Sequence, residues 1–400
     1  MPPPTDRPPR PLIVVSSGVS WDAVMGPDRQ FAQALCTDAD ILWVDPPRSP
    51  LTPARYRPMA AGRHVFLAPE RRHVRPGLVR LTPIAPPGWT RPGVRSVTWP
   101  LVRAQIRWVL RRLRRRPAVV IAGHLHDVLG RWGDGVVDVL YGTDDWVAGA
   151  ELLGQARRRL RTEEQAALRR ADLVLCVGPA LAERWRRLGA DPVIFPNGCD
   201  ADTLRAVDHA PPAPLPSGFP TPVAGLVGQL NDRIDLRLLD AVAATGIGLL
   251  IVGPRVAHWA PPGADELFAR PNVHHVGAVA FDEVPRWYTR IDVGLTPYTD
   301  SPFNRASFPL KTLEYLAAGL PAVSSDLPAS RMLEHATPHV CVAGDSESFA
   351  AAVLDRARLP RSPEVVRERR AVADRYSWAS RADEFAALVG LGRGTATGRR

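Results

Sequence analysis

The residues best suited to chemistry lie in one stretch, Ser307–Pro328, where a lysine and a glutamate stand three positions apart. Pro309 precedes an apolar run that ends at a glycine, which predicts a short helix over Leu310–Gly319. Lys311 and Glu314 would share one face of that helix, near exposed backbone N–H groups that favour phosphate. Lys311 is the only lysine among 51 basic residues. Because a guanidinium does not replace a compact ammonium, this position favours a function over an ordinary surface ion pair.

Three further candidates in the second half of the chain follow predicted strands. Gly228 allows a tight turn after one strand and brings backbone N–H groups close to a phosphate. Arg233, five residues later, can neutralise an anion; a solvated arginine is the alternative. Gly253 ends another strand, where it could border a ligand or simply form a turn.

Polar side chains also follow two predicted strands in the first half. His124 and His126 come after one strand, and Asp144 and Asp145 come after the next. Histidine can exchange a proton near neutral pH, and a carboxylate can orient or deprotonate a hydroxyl group. Adjacent side chains point to opposite sides, so we expect only one of the two aspartates to face a ligand. Structural loop roles for the histidines are the alternative.

These residues are positioned by apolar strand-like runs that alternate with helical stretches, the pattern of parallel βαβ units. The runs are Leu12–Ser16, Ile41–Val44, Ala118–Ala122, Val137–Tyr141, Leu173–Val177, Val193–Phe195, Ala224–Val227, Gly248–Val252, Val273–Val276, Val293–Thr296 and Ala322–Ser324. A length of 400 residues favours two domains. We therefore predict an α/β protein with two doubly wound domains and ligands beyond the carboxyl ends of their strands.

The predicted domain boundaries follow from composition. A proline-rich segment separates the two sets of strands and predicts a stiff linker, and a final segment has apolar residues at helical spacing. The predicted parts are a disordered tail (1–10), an N-terminal domain (11–208), the linker (209–222), a C-terminal domain (223–375), a C-terminal helix (376–390) and a second disordered tail (391–400).

Composition excludes several classes of protein. Hydrophobic residues make up 45% and charged residues 23%, which excludes wholesale disorder. No apolar run approaches the length of a membrane-spanning helix, and the N-terminus lacks the apolar core of a signal peptide, so we expect a cytoplasmic protein. The four cysteines are far apart, which suggests neither a zinc site nor a disulfide framework. We predict no metal and no resident cofactor.

The net charge of +10 is carried entirely by the first 200 residues, which hold 30 arginines and 19 acidic residues. Nucleic acid is a disfavoured partner, because the arginine runs lack interleaved aromatic residues. The segment Val97–Arg116 reads as a basic amphipathic helix with Leu101, Ile106, Val109, Leu110 and Leu113 on its apolar side and Trp108 nearby. Such a helix can lie on an anionic membrane surface. Packing of its apolar side on the sheet is the alternative.

The stretch Pro309–Val323, P-x-K-x-x-E-Y-x-A-A-G-x-P-x-V, resembles the donor-site signature of GT-B glycosyltransferases of the family 4 kind, in particular the bacterial teichuronic-acid and surface-polysaccharide type. The resemblance extends along most of the chain. It implies two Rossmann-like domains facing across a cleft, and a retaining, metal-independent hexosyltransferase with a UDP- or GDP-sugar as co-substrate.

The resemblance also implies roles for individual residues. Glu314 would accept hydrogen bonds from ribose hydroxyls, and Lys311 with Arg233 would neutralise the diphosphate. The predicted donor-binding residues are Gly228, Arg233, Gly253, Asn304, Pro309, Leu310, Lys311 and Glu314. The predicted acceptor-binding residues are Trp21, Asp22, His126 and Asp145. The predicted catalytic residues are Lys311, Arg233, His124, His126, Asp144 and Asp145.

The sequence departs from the family pattern at Ala306, where many members carry the first of two glutamates seven residues apart. Asn304 or backbone groups could take over, or sugar recognition could differ. We therefore predict transfer of a sugar from a nucleotide diphosphate donor to a hydroxyl of a glycan, lipid-linked or natural-product acceptor, in the cytoplasm or at the inner face of the membrane. A nucleotide-sugar epimerase of the same architecture and a non-catalytic relative are the alternatives.

Overall fold

The computed structural model describes residues 10–23, 25–49, 70–88, 91, 93–151 and 154–391. The chain divides into two compact units. Unit 1 comprises the chain up to Cys176, Ala182–Phe195 and the residues from Arg381 on, whereas unit 2 comprises Val177–Leu181 and Pro196–Ser380. The predicted tails fall almost wholly on residues 1–9 and 392–400, which lie outside the described residues.

Unit 1 is built on an eight-stranded sheet with the order β3-β4-β2-β1-β5-β6-β7-β8. All its neighbouring strands are parallel except β3 and β4, which form an antiparallel pair. The strands are β1 (Leu12–Ser17), β2 (Asp40–Val44), β3 (Glu70–Arg75), β4 (Leu78–Thr82), β5 (Val119–Gly123), β6 (Val137–Gly142), β7 (Leu173–Cys176) and β8 (Pro192–Ile194). The helices are α1 (Pro27–Leu35), α2 (Val94–Leu113), α3 (Arg157–Arg170) and α4 (Pro179–Arg186), the last entering this unit at Ala182.

Unit 2 is built on a six-stranded, all-parallel sheet with the order β11-β10-β9-β12-β13-β14. The strands are β9 (Val223–Val227), β10 (Gly248–Val252), β11 (Val273–Gly277), β12 (Val293–Thr296), β13 (Ala322–Ser325) and β14 (Val340–Ala343). The helices are α5 (Ala201–Arg205), α6 (Leu236–Ala244), α7 (Ala264–Phe268), α8 (Val284–Tyr288), α9 (Pro302–Ala306), α10 (Leu310–Ala317), α11 (Pro328–Ala336), α12 (Ser346–Ala357), α13 (Pro363–Arg375) and α14 (Trp378–Leu388), the last passing into unit 1 at Arg381.

Both units are doubly wound α/β folds, as the alternation of strands and helices predicts. The near-continuous apolar strands β1, β5 and β10 are wholly buried, because helices cover both faces of a parallel sheet. The sequence analysis missed the β3–β4 hairpin and β14. Strand β3 has the sequence ERRHVR, which offers no apolar run to mark it.

The unit boundaries differ in detail from the predicted domains. The main part of unit 2 runs from Pro196 to Ser380, so the proline-rich segment 209–222 lies inside it. The carbonyl of Ala213 accepts from Arg290, and the amide of Ala213 donates to the carbonyl of Arg286. At the other end of the chain, Phe385 of α14 packs within unit 1 against Phe31, with ring centroids 5.3 Å apart.

Most of the apolar side of α2, which was predicted as a possible membrane-binding surface, is buried. Ile106, Val109 and Leu110 lie in the core of unit 1 and are at most 6% exposed. The arginines of the last turn, Arg111 and Arg112, are exposed. The predicted apolar side is therefore a packing surface, because burial of each such side chain stabilises the fold by about 1.5–3 kcal/mol. Among the described residues, no helix combines the length and the apolar character needed to cross a membrane.

Helix α10 is anchored to the centre of the second sheet by Tyr315. Its hydroxyl donates to the carbonyl of Leu295 in β12 at 3.0 Å and accepts the amide of Val227 in β9 at 2.9 Å. The ring lies directly over Gly294, where an added Cβ would stand 2.1 Å from the Tyr315 Cγ atom. Only glycine at position 294 lets the ring reach both strands.

We therefore expect Gly294→Ala to lower the free energy of unfolding by about 1–3 kcal/mol or more, the usual cost of overpacking. Urea unfolding at neutral pH measures this. Gly344→Ala is the matched control, because its added Cβ would meet its nearest neighbour at 3.7 Å, an ordinary contact. Equal stability of the two variants would contradict the packing described here.

Candidate functional site

Each sheet has a point where the chain reverses the direction in which strands are added. In unit 1 this point lies between β1 and β5, and in unit 2 it lies between β9 and β12. Ligands of doubly wound folds bind beyond the carboxyl ends of the strands at such points. We call the carboxyl ends of β1, β5 and β6 with their following loops the first edge. The second edge comprises the carboxyl ends of β9, β10 and β12 and the start of α10.

Two glycines bring backbone close together at the second edge. A Cβ on Gly253 would lie 1.9 Å from the carbonyl oxygen of Gly228, and Gly253 has a φ of +145°. The amide of Gly228 donates to the carbonyl of Val252 at 2.9 Å. No side chain fits at position 253, because the backbone of Gly228 fills that space. Gly228 itself is half-buried and carries no side chain, so a ligand can approach the backbone surface at the end of β9.

Lys311 lies beside this backbone surface. A Cβ on Gly228 would stand 3.7 Å from the Lys311 Cε atom. In the first turn of α10 the Lys311 Nζ atom donates to Glu314 Oε2 at 2.6 Å, and the Tyr288 hydroxyl donates to the same oxygen at 3.2 Å. The other carboxylate oxygen, Oε1, takes part in neither contact. The predicted shared face of the helix is thus present, and it meets the end of β9.

The Lys311 ammonium is held in its charged form. Burial lowers the pKa of Lys311, but the charge of Glu314 and the hydrogen bond to it outweigh burial and leave the pKa raised. About a third of the side chain remains exposed (32%). An ammonium with three donors, of which Glu314 uses one, can still bind an anion from solution.

Arg233 is fixed at the second edge by three side chains. Its Nε donates to the Asn304 Oδ1 atom at 2.8 Å. Its guanidinium lies 4.9 Å from the Tyr298 ring centroid and 5.2 Å from that of Phe303. Such a clamp orients the cation before any ligand binds, because the aromatic faces and the amide hold the planar group. Tyr288, Tyr298 and Phe303 carried no recognisable sequence signal.

Asn304 supports Arg233, and its own polar atoms are already engaged. The side chain is 1% exposed, and its Nδ2 donates to both the carbonyl and the Oγ1 of Thr299 at 2.9 Å. It is therefore not free to replace the missing family carboxylate by binding a sugar, as the sequence had suggested. Ala306 is buried at the end of α9. Pro309 is buried and Leu310 is half-buried at the start of α10.

At the first edge His124 is held on both ring nitrogens. Its Nε2 lies 2.8 Å from the Ser16 Oγ, and its Nδ1 accepts the backbone N–H of His126 at 3.1 Å. Burial, reinforced by the neighbouring His126, holds the pKa of His124 well below its usual value. Proton exchange by His124 near neutral pH, which the sequence predicted, therefore has no geometric support. It remains neutral and structural.

His126 is more open than His124 and differs in its partners. Its ring stacks on Trp99 with centroids 4.4 Å apart, and its Nδ1 lies 3.2 Å from an Arg95 nitrogen and 3.6 Å from Glu163. Because arginine only donates, Nδ1 acts as an acceptor towards Arg95. Burial lowers the pKa of His126 despite the nearby carboxylate of Glu163. A neutral imidazole stacked on an indole suits hydrogen bonding to a hydroxyl better than acid catalysis.

The two aspartates after β6 differ in burial. Asp145 is 4% exposed and accepts from Arg184 Nη2 at 3.1 Å and from the amide of Ala148 at 2.8 Å. Burial raises the pKa of Asp145 despite the Arg184 charge. Its carboxylate serves the fold and is not available to an acceptor. Asp144, which is half-buried, is the more accessible member of the pair.

Asp28 is a carboxylate at the first edge that the sequence analysis missed. It accepts from the Ser17 Oγ at 2.8 Å, and it stands where a Cβ on Gly123 would come within 2.7 Å of its Oδ2. Burial raises the pKa of Asp28 to about 6, and the charge of Asp144 adds to the rise. No local motif marks Asp28; only the fold brings it next to the end of β5.

Trp21 and Asp22 lie in the loop after β1, but their side chains are already occupied. The Trp21 ring is buried against Trp43 with centroids 5.2 Å apart. Asp22 accepts two hydrogen bonds from Arg80, at 2.8 and 2.7 Å, and this contact lowers the pKa of Asp22. The predicted acceptor contact by the Trp21 ring therefore lacks an exposed surface.

Comparison with known proteins agrees with the resemblance in both halves of the chain. Residues 221–358 match the family model described as "Glycosyl transferases group 1", and residues 59–203 match the model described as "Glycosyltransferase Family 4". The chain is thus similar to glycosyltransferases over both matched ranges. Both models describe glycosyltransferases, which does not favour the epimerase alternative.

Among curated sequences, the chain is similar to the Bacillus subtilis protein described as "Putative teichuronic acid biosynthesis glycosyltransferase TuaH". It is 29% identical over 60% of this chain, and the aligned part spans 64% of the relative's length, a little under two thirds.

Solved structures share the fold of this chain at low identity. Sucrose-phosphate synthase from Thermosynechococcus elongatus matches 95% of this chain and 98% of its own with a TM-score of 0.69 at 16% identity. HepE of Anabaena, solved with UDP and glucose, matches 95% of this chain and 99% of its own with a TM-score of 0.62 at 13% identity.

Asp28 gives a test of the first edge. A carboxyl whose pKa is raised in the folded state is favoured when protonated, so its contribution to stability is present below the unfolded pKa near 4 and lost as the pH rises towards 6. We expect Asp28→Asn to be more stable than the native chain above pH 6 by about 1–3 kcal/mol, with no gain at pH 4.

Urea unfolding across this pH range measures the effect. Asp134→Asn, at an exposed position of the same unit, is the control. A pH-independent difference between Asp28→Asn and the native chain would contradict burial of the Asp28 carboxylate.

Proposed function

We propose that this glycosyltransferase transfers a hexose from a nucleotide diphosphate-sugar, of the UDP or GDP type, to an acceptor hydroxyl with retention of configuration. The observation that carries the proposal is the Lys311–Glu314 pair in the first turn of α10, next to the bare backbone at Gly228. No resident cofactor is required by this scheme, since the nucleotide sugar is a co-substrate.

Two cations serve the diphosphate in the proposed site. Lys311 extends past the end of β9, and Arg233 is clamped at the same edge by Asn304, Tyr298 and Phe303. When the bond between sugar and phosphate breaks, negative charge accumulates on the departing diphosphate. Fixed cations stabilise that charge in the transition state. We propose that Lys311 and Arg233 do the work that a divalent metal does in other enzymes.

Glu314 is the proposed ribose ligand. Its Oε2 is occupied by Lys311 and Tyr288, which orients the carboxylate, while its Oε1 is left out of both contacts. A carboxylate oxygen held in this way accepts hydrogen bonds from vicinal hydroxyls. The same residue would therefore bind the nucleoside and hold Lys311 charged.

Sugar recognition is proposed to differ from that of family members with a glutamate at position 306. Ala306 supplies no carboxylate, and Asn304 is committed to Arg233 and Thr299. We propose that backbone groups near the start of α10 recognise the sugar hydroxyls instead.

The first edge is the proposed acceptor site. Asp28, Asp144 and His126 bring two carboxylates and a neutral imidazole to the ends of β1, β5 and β6. Such groups bind and orient a hydroxyl nucleophile. The relative's role in teichuronic acid biosynthesis supports a glycan, lipid-linked or otherwise, as the acceptor. We propose that the enzyme works in the cytoplasm at the inner face of the membrane.

We expect Lys311→Ala to reduce donor turnover about 10²–10³-fold, because a fixed cation contributes on the order of 3–4 kcal/mol to transition-state stabilisation. Lys311→Arg should not restore full activity, since a planar guanidinium cannot take the place of the ammonium beside Glu314. Release of nucleotide from a panel of UDP- and GDP-sugars, with and without glycan acceptors, measures both.

The control is Arg331→Ala, which removes an exposed cation that likewise pairs with a glutamate three residues on. Full activity of Lys311→Ala would overturn the donor assignment. Release that needs an acceptor supports transfer, interconversion of free nucleotide sugars supports an epimerase, and binding without turnover supports a non-catalytic relative.

Asn304→Ala tests the clamp on Arg233. Because it leaves the guanidinium in place but frees it to rotate, we expect kcat/KM for the donor to fall about tenfold or more, the usual range for loss of a positioned hydrogen bond to a charged group. For Arg233→Ala, kcat/KM should fall at least as far. The kcat/KM of the double variant should be no lower than that of Arg233→Ala alone. Additive losses would contradict a shared role.

A further inference from the structure

An exposed apolar stripe runs along α2 on the side that faces away from the core. Val97, Leu101 and Trp108 are 59%, 37% and 41% exposed. Their spacings of four and seven residues place them on one face of the helix. Pro100 and Ala104, which are also exposed, lie on the same side. The stripe extends for about 16 Å, at 1.5 Å per residue.

Exposed arginines follow the stripe at the end of the helix. Arg111, Arg112, Arg114 and Arg116 are all exposed, and the guanidinium of Arg112 lies 5.2 Å from the ring centroid of Trp108. Arg115, in contrast, is bound to Asp40 at 3.0 Å. A tryptophan bordered by exposed cations combines a group that prefers the interface of a bilayer with charges that attract anionic headgroups.

The arginine-rich composition of the chain does not account for this arrangement. Helix α3 of the same unit exposes Arg157, Arg158, Arg161 and Arg169, yet no large hydrophobic side chain is exposed along it. A basic helix of this unit can thus lack an apolar stripe altogether. The combination on α2 needs its own explanation.

The first turn of α2 lies at the first edge, and the stripe starts in that turn on the side of the helix opposite to Arg95. Arg95, in the first turn of α2, lies 3.2 Å from His126. The loop after β1 exposes two further apolar side chains at that edge, Val19 and Met25, and the amide of Val19 donates to the Ser17 Oγ at 3.0 Å. Apolar surface is therefore concentrated next to the carboxylates and the imidazole of the first edge.

We propose that the exposed face of α2, formed by Val97, Leu101, Trp108 and the arginines that follow, docks on a bilayer of anionic phospholipid. The apolar stripe enters the headgroup boundary, and the arginines pair with lipid phosphates. This inference rests on the proposed function in one respect, namely that the first edge is the acceptor site. Docking at this face would bring that edge near an acceptor anchored in the same bilayer.

Co-sedimentation with vesicles tests the proposal without donor or acceptor. We expect the full chain to bind phosphatidylcholine vesicles that contain about 30% phosphatidylglycerol at low salt, and to bind weakly when that lipid is omitted or salt is raised. Arg111→Gln/Arg112→Gln/Arg116→Gln and, separately, Trp108→Ala should each weaken partitioning at least about tenfold. Neither change touches the core, so both variants should fold normally.

Matched variants distinguish docking through α2 from a general effect of positive charge on vesicle binding. Arg158→Gln/Arg161→Gln/Arg169→Gln removes the same charge from α3, and Leu188→Ala removes a side chain that is 42% exposed elsewhere in the chain; both should bind like the native chain. Absence of binding to anionic vesicles at low salt, equal losses in the two arginine triples, or an unaffected Trp108→Ala variant would each overturn the proposal. Lys311→Ala should still sediment with vesicles, so a failure of docking and a failure of the donor site remain distinguishable.

Discussion

The two hydrogen bonds of the Tyr315 hydroxyl determine where the chemistry of the second unit takes place. They tie α10 to β9 and β12, and they require a glycine at position 294 so that the ring can lie on the sheet. With the helix fixed there, its first turn meets the end of β9. Lys311 and Glu314 then lie beside the backbone of Gly228, which is half-buried and carries no side chain. A small shift of α10 would move the Lys311 ammonium away from Gly228, even though both residues would be unchanged.

The charged and polar side chains of the two edges are held in place in different ways. At the second edge, cations are held in place by partners that leave part of each group open: Glu314 uses one donor of Lys311, and Asn304 uses the Nε of Arg233. At the first edge, most of the titratable groups named from the sequence are consumed by the fold, because His124 and Asp145 are buried and bonded on their polar atoms. What remains for a ligand there is a smaller set, in which Asp28 replaces Asp145.

The architecture could be predicted well from the sequence, because buried parallel strands consist of continuous runs of β-branched residues and leucine. The central strands of both sheets were found in this way. Lys311 and Glu314 could be found because a helix places residues three apart on one face. The hairpin at Glu70–Arg75 could not, since its residues are almost all polar.

Contacts between residues that are far apart in the sequence could not be predicted from local patterns. Asn304 reaches Arg233 across 71 positions, and Asp28 meets the end of β5 only after the sheet has formed. For the same reason the exposed face of α2 was misjudged: hydrophobic spacing shows that a helix has an apolar side, but Ile106 and Leu110 face the core while Leu101 and Trp108 face outward.

The central claim is that the second edge binds the nucleotide diphosphate of the donor. Hydrogen–deuterium exchange of the full chain, with and without UDP or GDP, tests it most directly. The account predicts slower exchange in two segments, residues 228–235 and 310–315, and no comparable change at the ends of β1, β5 and β6. Nucleotide binding that protects only unit 1, or that leaves both segments of unit 2 unchanged, would contradict it.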